Sequence, residues 1–515
     1  MSRLSRRGFL GLLGGVGAGA VLLGCGLARG QTGELMVTTA PLPQPFQVPL
    51  PIPPVARPVG VDASGAEIYR ITARVAEQEI LPGLATTIFG YDGIFPGPTV
   101  ESRRNRPIVI EHRNELPVPT VVHLHGGHTP AEHDGWPLDL ILPTRGSHGQ
   151  PHHPGMLGDV TVGARQYRYP LDQPAATLWY HDHRMDFTGP AVYRGLAGFH
   201  IVRDEVEDAL PLPRGERELP LMIVDRSFSE DGSFAYPALD PSMREIPGVH
   251  EEWMEGVLGD VVLVNGAPWP VCDVDAARYR LRLLNAANAR RFRLALTVPN
   301  APNLPVTQIG SDAGLLQAPV THSAVELAPA ERCDVVVDFG VLPVGTEVTM
   351  VNELGSGRTA QVMRFRVVRR ARDDSRIPER LAEVEPLPVP AGVRRREFRF
   401  TRGPVGDHRG WTINGTRFDP EVSLADVPLG ETEVWRFVSD VHHPIHVHLD
   451  PFQVLRRGNR GPGPYGAGWK DTVDLRPGEV VEVAVRFRDH RGRFVLHCHN
   501  LEHSDMAMMA TVRTV

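Results

Sequence analysis

Lysine is nearly missing from this 515-residue chain: almost every basic residue is Arg, and Lys470 is the exception. We read this as a genomic composition bias with no bearing on function. A strong charge of one sign is missing too. The formal net charge is −7, which gives no electrostatic reason to expect a nucleic-acid partner. Cysteine is scarce, with four residues. Cys25 lies in the leader described below and Cys498 in a ligand-rich string, so at most one structural disulfide is left to consider. Cys272 and Cys333 either bridge or stay as two separate buried thiols.

What the chain does have is glycine and proline, 52 and 48 residues, with 42% hydrophobic residues. That balance fits a β-rich, turn-rich globular protein better than a helical one. The length predicts two to four domains. At the N-terminus, Ser5-Arg6-Arg7-Gly8-Phe9-Leu10 has the twin-arginine export pattern, followed by an apolar Gly/Ala-rich run to about Gly24. Its glycine content and modest hydrophobicity argue against a membrane anchor. Two processing routes stay open. Leu22-Leu23-Gly24-Cys25 resembles a lipobox that would lipidate Cys25, and Ala28-Arg29-Gly30 fits cleavage before Gln31. Either route predicts a periplasmic, cell-surface or secreted product.

Short β-branched runs alternate with turn signals along most of the chain, an all-β sandwich pattern. We divide it into a leader (1–30), a Pro-rich extension laid over the surface (31–58), sandwiches at 59–205, 206–370 and 391–515, and a charged, Pro-rich linker at 371–390.

The chemistry is concentrated near the C-terminus, in His497-Cys498-His499, then His503, then Met508. On a strand, Cys498 must face one way while His497 and His499 face the other. A thiolate, two imidazoles and a weak thioether form the ligand set of an electron-transfer copper site. Three more His-x-His pairs are present: His123/His125, His181/His183 and His446/His448. Residues i and i+2 of a strand share a face, so each pair can present two imidazoles together. With His497/His499 there are eight such His, enough for a cluster of two three-His metals and one two-His metal. His443 is left to complete the thiolate site. One pair alone would mean little; the whole set in one chain argues for metal chemistry. His128, His133, His148, His152 and His153 fall in a Gly/Pro-rich loop and read as solvated. His112, His200, His250, His322, His408, His442 and His490 read as structural or solvent-facing. The ligand pairs lie in the first and third sandwiches, so the cluster should sit between them, with the second as spacer and partial wall.

These four segments resemble the copper motifs of the multicopper oxidases in order and spacing, over most of residues 45–515. LWYHDHRM, VYRGLAGFHIV and the early PLPIPP are most similar to the spore-coat laccase and bilirubin oxidase branch. The resemblance implies three cupredoxin-like Greek-key domains and four coppers per chain. It assigns the blue copper to His443, Cys498, His503 and axial Met508, with Met506 and Met509 as neighbours. The two-His copper takes His123 and His446. The coupled pair takes His125, His181, His499 and His183, His448, His497. The implied activity is laccase-like: single electrons from a phenolic or aromatic amine donor, with O2 reduced to water. A periplasmic cuprous oxidase is the alternative, although 353–400 holds only Met363 where those enzymes often carry a Met-rich insert. A copper-free structural homologue is the alternative of another class, and a monomer is expected. Asp134, in EHDGWP, matches a carboxylate that the family keeps near its cluster, and is the candidate proton relay. Ser504 departs from the family, which often has Glu there; Glu502 or Asp505 could substitute.

Overall fold

A computed structural model of the protein describes residues 31–144, 158–405 and 408–515. Strand Glu67–Leu81 illustrates how the sheets arise. Its apolar residues recur with period two, so Tyr69, Ile71 and Ala73 all turn to the core. Runs of this kind build three successive pairs of sheets. The first pair joins a five-stranded sheet, including Glu67–Leu81, Ile108–Asn114 and Ala164–Tyr169, to a four-stranded sheet. That second sheet runs in the order Gly97–Arg103, Ala197–Arg203, Ala176–Asp182, Val122–His125. A seven-stranded and a five-stranded sheet follow between Glu218 and Arg370, and two five-stranded sheets between Arg395 and Thr514. Parallel neighbours far apart in sequence, such as Gly97–Arg103 with Ala197–Arg203 and Arg395–Val405 with Glu433–Ser439, mark the crossovers of an all-β Greek-key fold.

Register decides which side chains meet. In the first unit His181 lies opposite His123, and Trp179 opposite His125. In the last, His446 pairs with His497 and Ile445 with Cys498. Cys498 therefore shares a face with Ile445, Phe494 and Leu496 in the hydrophobic core of that unit. His497 points out of that core, as the alternation along the strand requires.

The extension after the leader is less superficial than its proline content suggests. Gln31, Thr32, Thr38 and Ala40 are buried. Glu34–Leu35 adds a parallel strand to Val257–Leu258, and the Gln31 amide exchanges two hydrogen bonds with the Arg291 backbone. Backbone pairing fastens this segment where its side-chain pattern gave no sign of burial. Residues 371–390 carry no helix or strand, yet Leu381 and Leu387 are buried. Cys272 and Cys333 are both free. They lie on strands of different sheets, and burial pushes the Cys272 thiol up to about 11. The leader with Cys25, and His148, His152 and His153, lie outside the described residues.

Candidate metal centres

Ten imidazoles and a thiol gather into two groups. In the first, His123, His446 and His448 converge, as do His125, His181 and His499, and His183, His448 and His497; the ligand atoms within each trio lie within 4.8 Å of one another. All eight rings are buried.

Their hydrogen bonds fix which nitrogen faces inward. His123 Nδ1 donates to the Asp134 carbonyl (2.5 Å) and His446 Nδ1 to the Asp471 carbonyl (2.9 Å). His181 Nδ1 donates to the Asp182 carbonyl (2.8 Å), His497 Nδ1 to the Cys498 carbonyl (3.0 Å), and His448 Nδ1 to Asp134 Oδ2 (2.7 Å). A carbonyl or carboxylate oxygen accepts only, so each of these rings carries its proton on Nδ1 and leaves a lone pair on Nε2. Burial first, and neighbouring imidazoles or Arg332 next, hold seven of the rings well below the ordinary histidine range, so they are neutral near pH 7. His123 Nε2 and His446 Nε2 are 3.4 Å apart, His448 and His497 Nε2 3.3 Å, and His183 and His497 Nε2 3.4 Å. Facing lone pairs repel. The same spacing suits two ligands on one metal at roughly 2.0–2.1 Å each. The donor set therefore fits copper, and its outer hydrogen bonds hold the rings in ligating tautomers.

His125 is turned the other way. Its Nε2 lies 3.1 Å from Asp471 Oδ1 and 3.2 Å from Thr472 Oγ1, and its Nδ1 has no hydrogen-bond partner among the described residues. Nδ1 is thus its inward atom. Asp471 is held in turn by both terminal nitrogens of Arg332, and buried Lys470 pairs with Asp312 and Glu331 beside it. The solitary lysine, which looked compositional, belongs to a charged support behind the cluster. Trp179, fully buried, stacks on His181 at 4.2 Å between ring centres.

In the second group the Cys498 thiol lies 3.5 Å from His443 Nδ1 and 3.6 Å from His503 Nδ1, and those two nitrogens are 3.2 Å apart. Their outward nitrogens are again occupied: His443 Nε2 by Asp440 Oδ1 (2.9 Å), His503 Nε2 by the Glu255 carbonyl (3.2 Å). Trp411 stacks on His503 at 3.7 Å and donates its indole N–H to the Met254 carbonyl. Met508 is buried in one cluster with Cys498, whereas Met509 packs beside Trp136 and Val495 in a separate one. Burial pushes the Cys498 thiol far up, so a thiolate here requires a cation beside it. Among the carboxylates near Ser504, Glu502 accepts from Tyr236, Asn288 and the Val257 N–H. Asp505 accepts from the Thr188 and Gly189 N–H groups. Ser504 Oγ itself approaches a cluster ring, 3.5 Å from His497 Nδ1.

Sequence reasoning missed Asp471, Asp440, Glu255, Trp411 and Arg332. No motif marks them: Asp440, Trp411 and Asp471 act from the third sandwich, and Arg332 and Glu255 come from the second.

Known proteins resemble this chain in sequence and fold. Multicopper oxidase family models match residues 394–515 and residues 73–150 with 158–207. A laccase of Bacillus stratosphericus is 34% identical over 510 residues, covering 89% of this chain and 97% of that protein. A bilirubin oxidase of Albifimbria verrucaria is 37% identical, covering 90% of this chain and 80% of that protein. A multicopper oxidase structure from Pediococcus acidilactici superposes with a TM-score of 0.80 at 29% identity, over 94% of this chain and 93% of that one. The chain belongs to the multicopper oxidase family. It is a copper-dependent oxidase with cupredoxin-like domains.

Proposed function

We propose that this oxidase takes single electrons from phenolic or aromatic amine donors and reduces O2 to water, using four coppers per chain. The observation that carries the reading is the pattern of inward lone pairs. Every ligand candidate whose outer ring nitrogen has a partner turns the other nitrogen toward its neighbours. His443, Cys498 and His503, with Met508 axial, would hold the blue copper. His123 and His446 would hold the two-His copper. His125, His181 and His499 would hold one coupled copper, and His183, His448 and His497 the other. Bound there, copper would supply reversible one-electron chemistry at the thiolate site and the redox chemistry for O2 at the cluster.

The chain's own residues do the rest. Cys498, flanked by His497 and His499, joins the two centres through adjacent backbone. Asp440 orients His443 from the partly exposed side, where a donor could approach. Asp134 orients His448 and is the candidate to pass protons to the cluster; Glu502 and Asp505 are bound to other donors. With its twin-arginine leader, we place the enzyme as a monomer outside the cytoplasm, either lipidated at Cys25 or released.

Steady-state rates of copper-loaded protein with a phenol, an aromatic amine, bilirubin and cuprous ion, together with metal analysis, test this. Four coppers and preferred turnover of the aromatic donors are expected. One or two coppers would overturn the ligand assignment, and preference for cuprous ion would make this a metal-ion oxidase.

A further inference from the structure

A third group of metal-ligating side chains lies outside both centres. His128, three residues past His125, is buried in the loop after strand Val122–His125. Its Nδ1 donates to Asp172 Oδ1 at 2.7 Å and its backbone N–H to Gln173 Oε1 at 2.8 Å. The ring is therefore held from behind, by the carboxylate–histidine arrangement common to metal ligands. In front, His128 Nε2 lies 3.0 Å from Asp489 Oδ1 and 3.6 Å from Asp450 Oδ1. Despite that proximity it makes no hydrogen bond among the described residues. His490 adds a second imidazole. Its ring stacks on that of His128 at 4.6 Å, and its Nε2, also without a hydrogen bond, lies 3.8 Å from Asp489 Oδ1.

With the Nδ1 proton directed at Asp172, the Nε2 lone pair of His128 faces Asp489 Oδ1, so two acceptors stand 3.0 Å apart with no hydrogen bond between them. Donor atoms around a tetrahedral ion at about 2.0–2.2 Å stand roughly 3.3–3.5 Å apart, close to the spacings here. Asp450 does not complete the set: Arg488 occupies it through its backbone N–H (2.9 Å) and Nε (2.7 Å). The Asp489 side chain is 54% exposed, which leaves a way in from solvent.

We propose that His128, Asp489 and His490 form a site for a borderline divalent ion of the zinc class, with water as the remaining ligand and Asp172 orienting His128. Such an ion would tie the loop after Val122–His125 to the turn before Gly492–Cys498. The two strands carry three of the eight cluster imidazoles, His123, His125 and His497, with His499 one residue further on, so the ion would brace the seam between the first and last sandwiches.

The test is equilibrium dialysis of copper-loaded protein against Zn(II), with zinc and copper both counted. The parent should retain one zinc per chain that Asp489→Asn/His490→Gln loses, with the copper content and blue absorption of the two proteins equal. Zinc should also raise the unfolding temperature of the parent and not of the variant. Both substitutions are near the surface, so folding is not at stake. If the parent takes no zinc, the proposal falls. Equal zinc uptake by parent and variant overturns it as well. The comparison between the two proteins is independent of how many coppers are bound.

Discussion

At the scale of single residues, Cys498 carries the most. Its thiol is buried between two imidazole nitrogens, and the other described cysteines, Cys272 and Cys333, lie on strands of the second sandwich. Cys498→Ser should abolish blue absorption and turnover while far-ultraviolet circular dichroism stays that of the parent. Retained intense blue colour would mean that another sulfur is the ligand. Met508→Leu should raise the potential of the blue centre, because a weak axial donor stabilises oxidised copper. A redox titration with no change would move the axial role elsewhere. Asp134 accepts from His448 Nδ1 through one carboxylate oxygen, while Thr129 Oγ1 approaches the other at 3.4 Å. Asp134→Asn should slow reoxidation by O2, by ~10²–10⁴-fold if general acid catalysis is lost, without slowing reduction of the blue centre. Ser504→Glu in that background should recover part of the rate, since position 504 lies beside His497. Stopped-flow reoxidation as fast as in the parent would assign proton delivery elsewhere, with Asp471, which contacts the cluster ring His125, as the next candidate.

At the scale of elements, the His-x-His strands were legible because period two is a local property. The turn that follows the first of them was less so. Gly126 has φ +85°, and a Cβ there would stand 2.6 Å from Arg332 Nη2 and 2.8 Å from Asp471 Oδ2. Gly126→Ala would thus combine left-handed backbone strain with a push on the pair that orients His125. A loss of about 1–3 kcal/mol is expected, together with reduced copper retention on dialysis. An unfolding midpoint and copper content equal to the parent's would show that the Arg332–Asp471 pair yields freely. The extension at 31–58 shows the opposite limit: its fastening is main-chain pairing and the Gln31 amide, for which side-chain patterning carries no signal.

At the scale of the whole molecule, buried titratable groups make stability depend on pH: buried carboxylates such as Asp182, raised to about 7 by burial, favour acid, but the buried histidines held low outnumber them. Burial lowers His112 and His200 to about 3. Both stay neutral when folded, whereas an unfolded histidine takes up a proton near pH 6.5. Their contribution is complete above about 6.5 and is lost as pH falls toward 3. Glu218 acts at lower pH: burial raises it, but Arg282, Arg280 and Arg203 outweigh that and hold it at about 2. Its contribution is present above the ordinary glutamate value and is lost below about 4.5. The unfolding temperature of copper-free protein should accordingly fall on acidification from near pH 6.5, and fall again below about 4.5. Calorimetry showing a constant midpoint between pH 7 and 4 would contradict this. Copper-loaded protein should lose stability more steeply over the first interval, because ligand imidazoles must stay deprotonated to bind and copper affinity falls as pH falls.

The sequence by itself determined the metal chemistry and the alternation that sets Cys498 against His497 and His499, because ligand identity and i, i+2 spacing are written in the chain. It also determined the β class, through short β-branched runs between turns. Only the tertiary structure decided which imidazoles meet. His123 reaches His446 across a separation of 323 residues, and that depends on how two sandwiches pack. The same packing decided which nitrogen of each ring turns inward and brought Arg332 and Glu255 from the second sandwich behind the ligands. It also brought His128, read as loop, against Asp489 and His490. Hydrogen bonds between distant segments carry no local pattern, so no reading of one strand at a time could have found them.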